Sequence, residues 1–319
     1  MSEIVALVLP FFGMIFIGAF VARLTRQPVE ALGWMNFFII YLALPALFIQ
    51  LLSRTPLEDL ANWRFILGAV AATYCVFFLM FAIAWVRTRD LRATTIQSLA
   101  ASYGNIGYMG PGIALLAFGP EAAVPVALIF CFENAVHFAM TPFLMAVADR
   151  SRQSFGSVAV DVLRKIALHP FIIASAIGVA LAWLQYSPPL PLETLIDFFA
   201  RAAAPCALFA MGVTIALRPL KRAPVELLPI TLFKLVIHPA ICYAILTAIG
   251  GFPPMWIYTA VLLAALPTAT NVFVIAQQYE VWIERASASV LVTTIVSIAT
   301  LTLILYAIKS GLLPVDPWS

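Results

Sequence analysis

Ten stretches of predominantly apolar residues, spread from one end of the chain to the other, dictate what this sequence can fold into. Their limits are 3–23, 33–52, 62–86, 94–118, 122–147, 166–184, 193–216, 223–249, 254–277 and 285–308. Roughly 20 such residues cross the hydrocarbon core of a bilayer as a helix. The 319 residues are 63% hydrophobic and 10% charged, whereas about 25% of a soluble domain is charged. A chain of mean hydropathy +1.02 cannot cover so much apolar surface in water. The expectation is an all-α membrane protein without an appended soluble domain, so its function resides in the membrane body.

Cys75, Cys131, Cys206 and Cys242 all lie inside apolar runs without CxxC pairing and read as small core hydrophobes. The formal charge of +3 argues against a nucleic-acid partner. Residues 1–3 carry no basic cluster and the following run, 4–24, is too long for a cleavable signal, so it is taken as the first span.

Basic residues near span ends stay cytoplasmic. The odd loops hold Arg23, Arg26, Arg87, Arg89, Arg92, Arg150, Arg152, Arg164, Lys165, Arg218, Lys221, Arg222 and Arg285. The even loops hold only Arg54 and Arg64, and the C-terminal tail Lys309. This asymmetry predicts cytoplasmic odd loops and both termini outside, in the periplasm of a bacterial inner membrane.

A shift of 160 residues superposes Pro10, Phe11 and Gly18 on Pro170, Phe171 and Gly178, and Phe38 and Pro45 on Phe198 and Pro205. A repeat of five spans must enter the bilayer from the opposite side the second time. Inverted repeats of this kind characterise transporters that alternate access around discontinuous helices. The expected organisation is a first five-helix repeat over 1–150, a cytoplasmic linker over 151–165 and an inverted second repeat over 166–319.

Two spans in matching positions carry helix breakers. Span four reads Ser-Tyr-Gly-Asn-Ile-Gly-Tyr-Met-Gly-Pro-Gly over 102–112, and span nine reads Leu-Pro-Thr-Ala-Thr-Asn over 266–271. Each Gly costs about 1 kcal/mol and Pro about 3 kcal/mol in a helix interior relative to Ala, and Pro111 also removes a backbone donor. Non-helical backbone at membrane depth is tolerated only inside protein or along a wet cavity. The second halves, starting near Gly112 and Thr268, would present free N–H groups and the positive end of the helix dipole, which favours an anion. The carbonyls ending the first halves could instead receive a cation or a substrate N–H. Candidate substrate-binding residues are Gly104, Asn105, Tyr108, Pro111, Gly112, Pro267, Thr268, Thr270 and Asn271. The plainer alternative is that Asn and Thr only patch freed backbone groups and Gly only permits close packing.

At these residues the sequence resembles the auxin efflux carrier family, which includes short bacterial carriers and the plant PIN auxin exporters. Gly-Asn-Ile-Gly-Tyr-Met-Gly-Pro-Gly at 104–112 resembles its fourth-helix crossover, and Ala-Leu-Pro-Thr-Ala-Thr-Asn-Val-Phe-Val-Ile-Ala at 265–276 its ninth. The resemblance implies ten helices as two inverted five-helix repeats that intertwine into scaffold and crossover transport domains. Broken helices 4 and 9 would cross as in bile-acid symporters and NhaA-like proteins. It further implies organic-anion transport by an elevator-type motion, and a homodimer. Asn105 and Pro111 match the first crossover, Pro267 and Asn271 the second, and Pro45 a proline of the second helix. The fifth loop, about 18 residues long, leaves no room for the regulatory domain of the long plant members.

Ionisable groups inside spans are functional candidates by default. Lys234 lies near the middle of span eight, one turn before His238, and Glu133 and His137 share a face of span five beside Asn134. These four are the candidates for ion coupling, with protons or sodium, or for balancing substrate charge; a structural ion pair is the alternative. Arg201 follows Asp197 by one turn and reads as a structural pair. No metal site or cofactor is implied. A channel would need a continuous polar lining, whereas polarity here concentrates at mid-depth. A hydrolase built on His137, His169, His238 and Ser102 lacks any GxSxG, HExxH or paired-Asp motif to organise it. The closer rival is a sodium-coupled symporter of the bile-acid type.

Overall fold

The protein, described here from a computed structural model, is defined over residues 2–26, 28–148, 160, 163–164, 167–217 and 225–315. Most of the linker expected over 151–165 lies outside these residues, as do Arg150, Arg152, Lys165, Arg218, Lys221 and Arg222 of the charge count. Among the described residues the secondary structure is helical, without a strand. The helices are α1 Ser2–Thr25, α2 Gly33–Ser53, α3 Trp63–Thr88, α4 Leu91–Ser102, α5 Gly110–Phe118, α6 Ala123–Ala148, α7 Pro170–Trp183, α8 Leu190–Leu217, α9 Leu227–Ile249, α10 Pro254–Ala264, α11 Thr270–Gln278 and α12 Ile283–Lys309. Six stretches among the described residues are long and apolar enough to span a bilayer: Gly33–Ser53, Leu57–Thr88, Pro120–Ala148, Leu190–Leu217, Leu227–Ile249 and Ile283–Lys309. Helices α4, α5, α10 and α11 are short because the breakers at 103–109 and 265–269 interrupt what would otherwise be two continuous spans.

Two helices contain a π-helical turn just ahead of a proline, Ile39–Ala43 before Pro45 and Phe233–Ile237 before Pro239. A proline ring collides with the carbonyl four residues back and leaves it without an N–H partner, and a widened turn relieves both. The second of these turns carries Lys234.

The chain forms two compact units. The first comprises Met1–Asn62, Gly107–Cys131 and Leu168–Pro219, and the second Trp63–Ile106, Phe132–Ala167 and Leu220–Ser319. Each draws on both halves of the sequence.

In the first unit α1 and α8 approach so closely that backbone meets backbone. A Cβ on Gly18 would stand 2.2 Å from the Phe209 carbonyl oxygen, and one on Gly212 only 2.0 Å from that of Ile15. Helices in lipid gain no hydrophobic drive from pairing, so small residues that allow close dispersion contact supply the attraction. Gly178 of α7 does the same against α2, where its Cβ would lie 3.2 Å from the Ile49 carbonyl oxygen and 2.8 Å from Leu52 Cβ. Gly212→Val should therefore lower the thermal midpoint by several degrees in detergent, since overpacking of this kind costs about 1–3 kcal/mol. Gly13→Ala, on the partnering helix α1 but with nothing within 4 Å of its would-be Cβ, should not. Equal midpoints for the two variants would refute the close-packing account.

The second unit encloses a polar cluster within an apolar core and also turns apolar side chains outward. Thr73, Ser98, Ser102, Asn105, Glu133, His137, Lys234, His238, Thr268 and Thr293 are buried, while Leu67, Phe78, Val86, Val236, Ile295 and Leu303 are exposed. That arrangement suits a protein whose outer solvent is hydrocarbon, where each polar group must find its partner within the fold. Asp90 caps α4 by accepting from the N–H groups of Arg92 and Ala93 at 2.9 and 3.4 Å.

Candidate functional site

The two interruptions meet inside the second unit. Gly104 pairs with Thr268 in an antiparallel backbone contact. The Asn105 N–H donates to the Pro267 carbonyl at 2.8 Å and the Ala269 N–H donates to the Tyr103 carbonyl at 2.9 Å. Two breaks in separate helices thus satisfy one another's backbone, a two-bond fragment of sheet in a helical interior.

One carbonyl at the end of each first half is also taken. The Thr268 hydroxyl donates to Ala100 O of α4 at 2.6 Å, and the Lys234 ammonium donates to Ala264 O at the end of α10. Thr268 N–H in turn donates to Thr293 Oγ1 of α12 at 3.0 Å. Glycine at 104 makes room for the ammonium: a Cβ there would lie 3.3 Å from Lys234 Nζ and 3.2 Å from Leu263 O. The second halves begin at Gly110 and Thr270, within two residues of the positions expected from sequence. Pro111 sits in the first turn of α5, where a missing N–H leaves no hydrogen bond unmade.

Around the paired backbone lie two connected side-chain groups. In the first, Asn271 Nδ2 donates to Tyr103 Oη at 2.9 Å, and that hydroxyl donates to Asn134 Oδ1. The Tyr103 ring stacks on His137 with centroids 4.1 Å apart, and Tyr74 Oη lies 3.0 Å from His137 Nδ1. The other nitrogen, His137 Nε2, is buried and has no hydrogen-bond partner among the described residues. In the second group, Thr73 Oγ1 donates to Glu133 Oε1 at 2.8 Å and lies 3.0 Å from His238 Nε2, while His238 Nδ1 lies 2.9 Å from Lys234 Nζ. Lys234 and His238, one turn apart across the π-helical segment, thereby join Glu133 of α6 through a threonine of α3.

The candidates thus fall into two sets. Gly104, Asn105, Pro267, Thr268, Thr270, Asn271, Glu133, His137, Lys234 and His238 all belong to the second unit, whereas Tyr108, Pro111 and Gly112 belong to the first. Of the former, Asn105 is 1% exposed, and Thr270 and Asn271 are only half-buried. Arg201 pairs with Asp197 at 2.7 Å in the first unit, where Gln50 also donates to Asp197 at 3.1 Å. Tyr103, Tyr74 and Thr73 escaped the sequence reading. Tyr103 directly precedes Gly104 and could have been suspected, but a threonine or tyrosine within an apolar run carries no such signal.

The family described as membrane transport protein (Mem_trans) matches this chain over residues 3–142 and 132–305. The chain belongs to that family. This transporter is 60% identical over 317 residues to a Rhizobium meliloti protein named "Putative malonate transporter", covering 99% of each chain. More distant relatives are the "Uncharacterized transporter YfdV" of Escherichia coli K12, 23% identical across 93% of this chain and 95% of its own, and an "Uncharacterized transporter" of Methanothermobacter thermautotrophicus, 22% identical across 86% and 88%. The resemblance to auxin efflux carriers drawn from the two motifs therefore holds along the whole length of the transporter, and its relatives are named as carriers rather than enzymes.

Proposed function

We propose that this transporter carries a small organic anion, a carboxylate, and that the anion binds where the interruptions of spans four and nine meet. The observation that carries the reading is the antiparallel pairing of Gly104 with Thr268, which sets the N-terminus of α11, with half-buried Thr270 and Asn271, against the break that holds Asn105. Such an end attracts negative charge, and His137 Nε2, without a hydrogen-bond partner among the described residues, offers a further donor. In this reading α4 with α5 and α10 with α11 are the crossing broken helices of a ten-span inverted repeat. The glycine contacts support the repeat: Gly18 faces the Phe209 carbonyl and Gly178 the Ile49 carbonyl, and 160 residues separate both Gly18 from Gly178 and Ile49 from Phe209. The same packing device therefore recurs at equivalent positions in both halves. Access alternates by an elevator-type motion with the second unit as the carrying body, in a homodimer of the inner membrane whose termini face the periplasm.

The name of the 60% identical relative makes malonate the first substrate to try. A sodium-coupled mechanism of the bile-acid type is the second reading, and one contact weighs against it: the Lys234 ammonium occupies the Ala264 carbonyl that a sodium ion at this break would use. Thermal-shift screening of the purified protein against small carboxylates, followed by flux into proteoliposomes, tests both. Malonate or a related carboxylate should raise the thermal midpoint by several degrees and be taken up equally in sodium and potassium media. Uptake that requires sodium would replace this reading with the second, and a panel without a single binder would remove the anion site.

A further inference from the structure

The contacts among Lys234, His238, Thr73 and Glu133 admit a single hydrogen-bond direction when the two ends are charged. An ammonium only donates, so His238 Nδ1 must accept from Lys234 Nζ across 2.9 Å. The imidazole then carries its proton on Nε2 and donates it to Thr73 Oγ1 across 3.0 Å. The threonine has one hydroxyl proton, and it goes to Glu133 Oε1 across 2.8 Å. A carboxylate only accepts, so the chain closes with each link used once. Lys234 and Glu133 are the two buried residues of opposite formal charge among the described residues. They do not touch: two neutral groups, each able both to accept and to donate, stand between them.

We propose that these four residues form a proton relay and that the transporter takes up one proton with each anion, held at Glu133 while Lys234 remains the ammonium that offsets the anion's charge. This rests on the reading that the cargo is an anion. The relay has two states of zero net charge. Moving three protons one place each, from Nζ to Nδ1, from Nε2 to Oγ1 and from Oγ1 to Oε1, converts ammonium and carboxylate into amine and carboxylic acid. Three N–H or O–H bonds break and three form. A proton arriving from water then adds to the Lys234 amine of the second state, which leaves Glu133 protonated, restores the ammonium and raises the net charge of the relay from zero to plus one. One negative charge of the cargo then travels compensated, and a buried charge that would otherwise be expensive at membrane depth is neutralised. The other titratable groups acting on the relay are Tyr74 from α3, His137 from α6 and Cys242 from α9, with Tyr103 acting in turn on Tyr74. The Ala264 carbonyl ties the lysine end to the break itself, so the relay and the anion site share one backbone junction.

Thr73 is the link whose removal disturbs least, because valine has its shape and lacks its hydroxyl. The full-length protein would be reconstituted in proteoliposomes with a trapped pH-sensitive dye and given radiolabelled malonate. In the wild type, malonate entry should acidify the lumen, and an inward proton gradient should raise malonate accumulation at least about tenfold. Thr73→Val should lower proton entry per malonate at least about tenfold, and Thr73→Ser should restore it. Glu133→Gln should bring proton entry to background while malonate still shifts the thermal midpoint of the variant. Malonate entry without a proton in the wild type, or a Thr73→Val protein that couples as well as wild type, overturns the relay and leaves the anion site standing. Failure of malonate and every other carboxylate to enter removes both.

Discussion

Asn105→Ala is expected to slow carboxylate flux about tenfold to a hundredfold in proteoliposomes while leaving the thermal midpoint within a few degrees of the wild type. The separation follows from which atoms do what. The backbone N–H of Asn105 closes the junction with Pro267 at 2.8 Å, and alanine keeps that N–H. Only the carboxamide is lost, from a position 1% exposed beside the N-terminus of α11. A hydrogen bond to a charged group contributes roughly 1.5–3 kcal/mol, and each 1.4 kcal/mol is about tenfold. Pro267 offers the contrasting case: alanine keeps the carbonyl that the junction uses but frees the fixed φ and adds an N–H to the interruption, so Pro267→Ala should disturb the break itself. Normal flux in the Asn105→Ala carrier would place the anion elsewhere.

Removing either end of the Lys234 and Glu133 chain should destabilise the second unit more than removing both. A buried charge left without its opposite costs about 3–5 kcal/mol, whereas replacing both charged groups by apolar or neutral ones of similar size is often close to neutral. Lys234→Met should thus unfold many degrees below the wild type. The double variant Lys234→Met with Glu133→Gln should recover most of the loss. Chemical denaturation in mixed micelles, with all three variants and the wild type, measures the recovery. Additive losses would mean that the two charges do not compensate each other through His238 and Thr73, despite the contacts at 2.8–3.0 Å. A recovered double variant that carries no protons would show that the pair is needed for coupling but not for folding.

Much of the architecture is visible along the chain because hydrocarbon imposes a strict code. Apolar runs of helical length mark the helices, and the structure places helix ends within a few residues of most expected limits: 33–52 became Gly33–Ser53, and 285–308 became Ile283–Lys309. The interruptions were equally plain, since four glycines and a proline over 102–112 make a continuous helix costly there, although Gly110, Pro111 and Gly112 form the first turn of α5. What the runs could not reveal is how the ends of the broken helices are satisfied. Of the carbonyls that seemed open to a cation or a substrate N–H, Ala100 O is engaged by Thr268 and Ala264 O by Lys234, so the plainer reading of Thr268, that it patches backbone, describes its hydroxyl correctly.

The interrupted helices show where the division lies. Residue type alone determined that spans four and nine must break and that a lysine, two histidines and a glutamate must lie within the apolar segments, because both facts concern local cost: what a helix or a bilayer tolerates at one position. Only the tertiary structure decided that Gly104 lies against Thr268, that Tyr103 joins Asn271 to Asn134, and that Thr73 stands between Glu133 and His238. Hydrogen bonds have a reach of about 3 Å, whereas 60 residues separate Thr73 from Glu133 and 165 separate it from His238. A distance that short between positions so far apart in the chain is set by packing, and packing is not written at any one position.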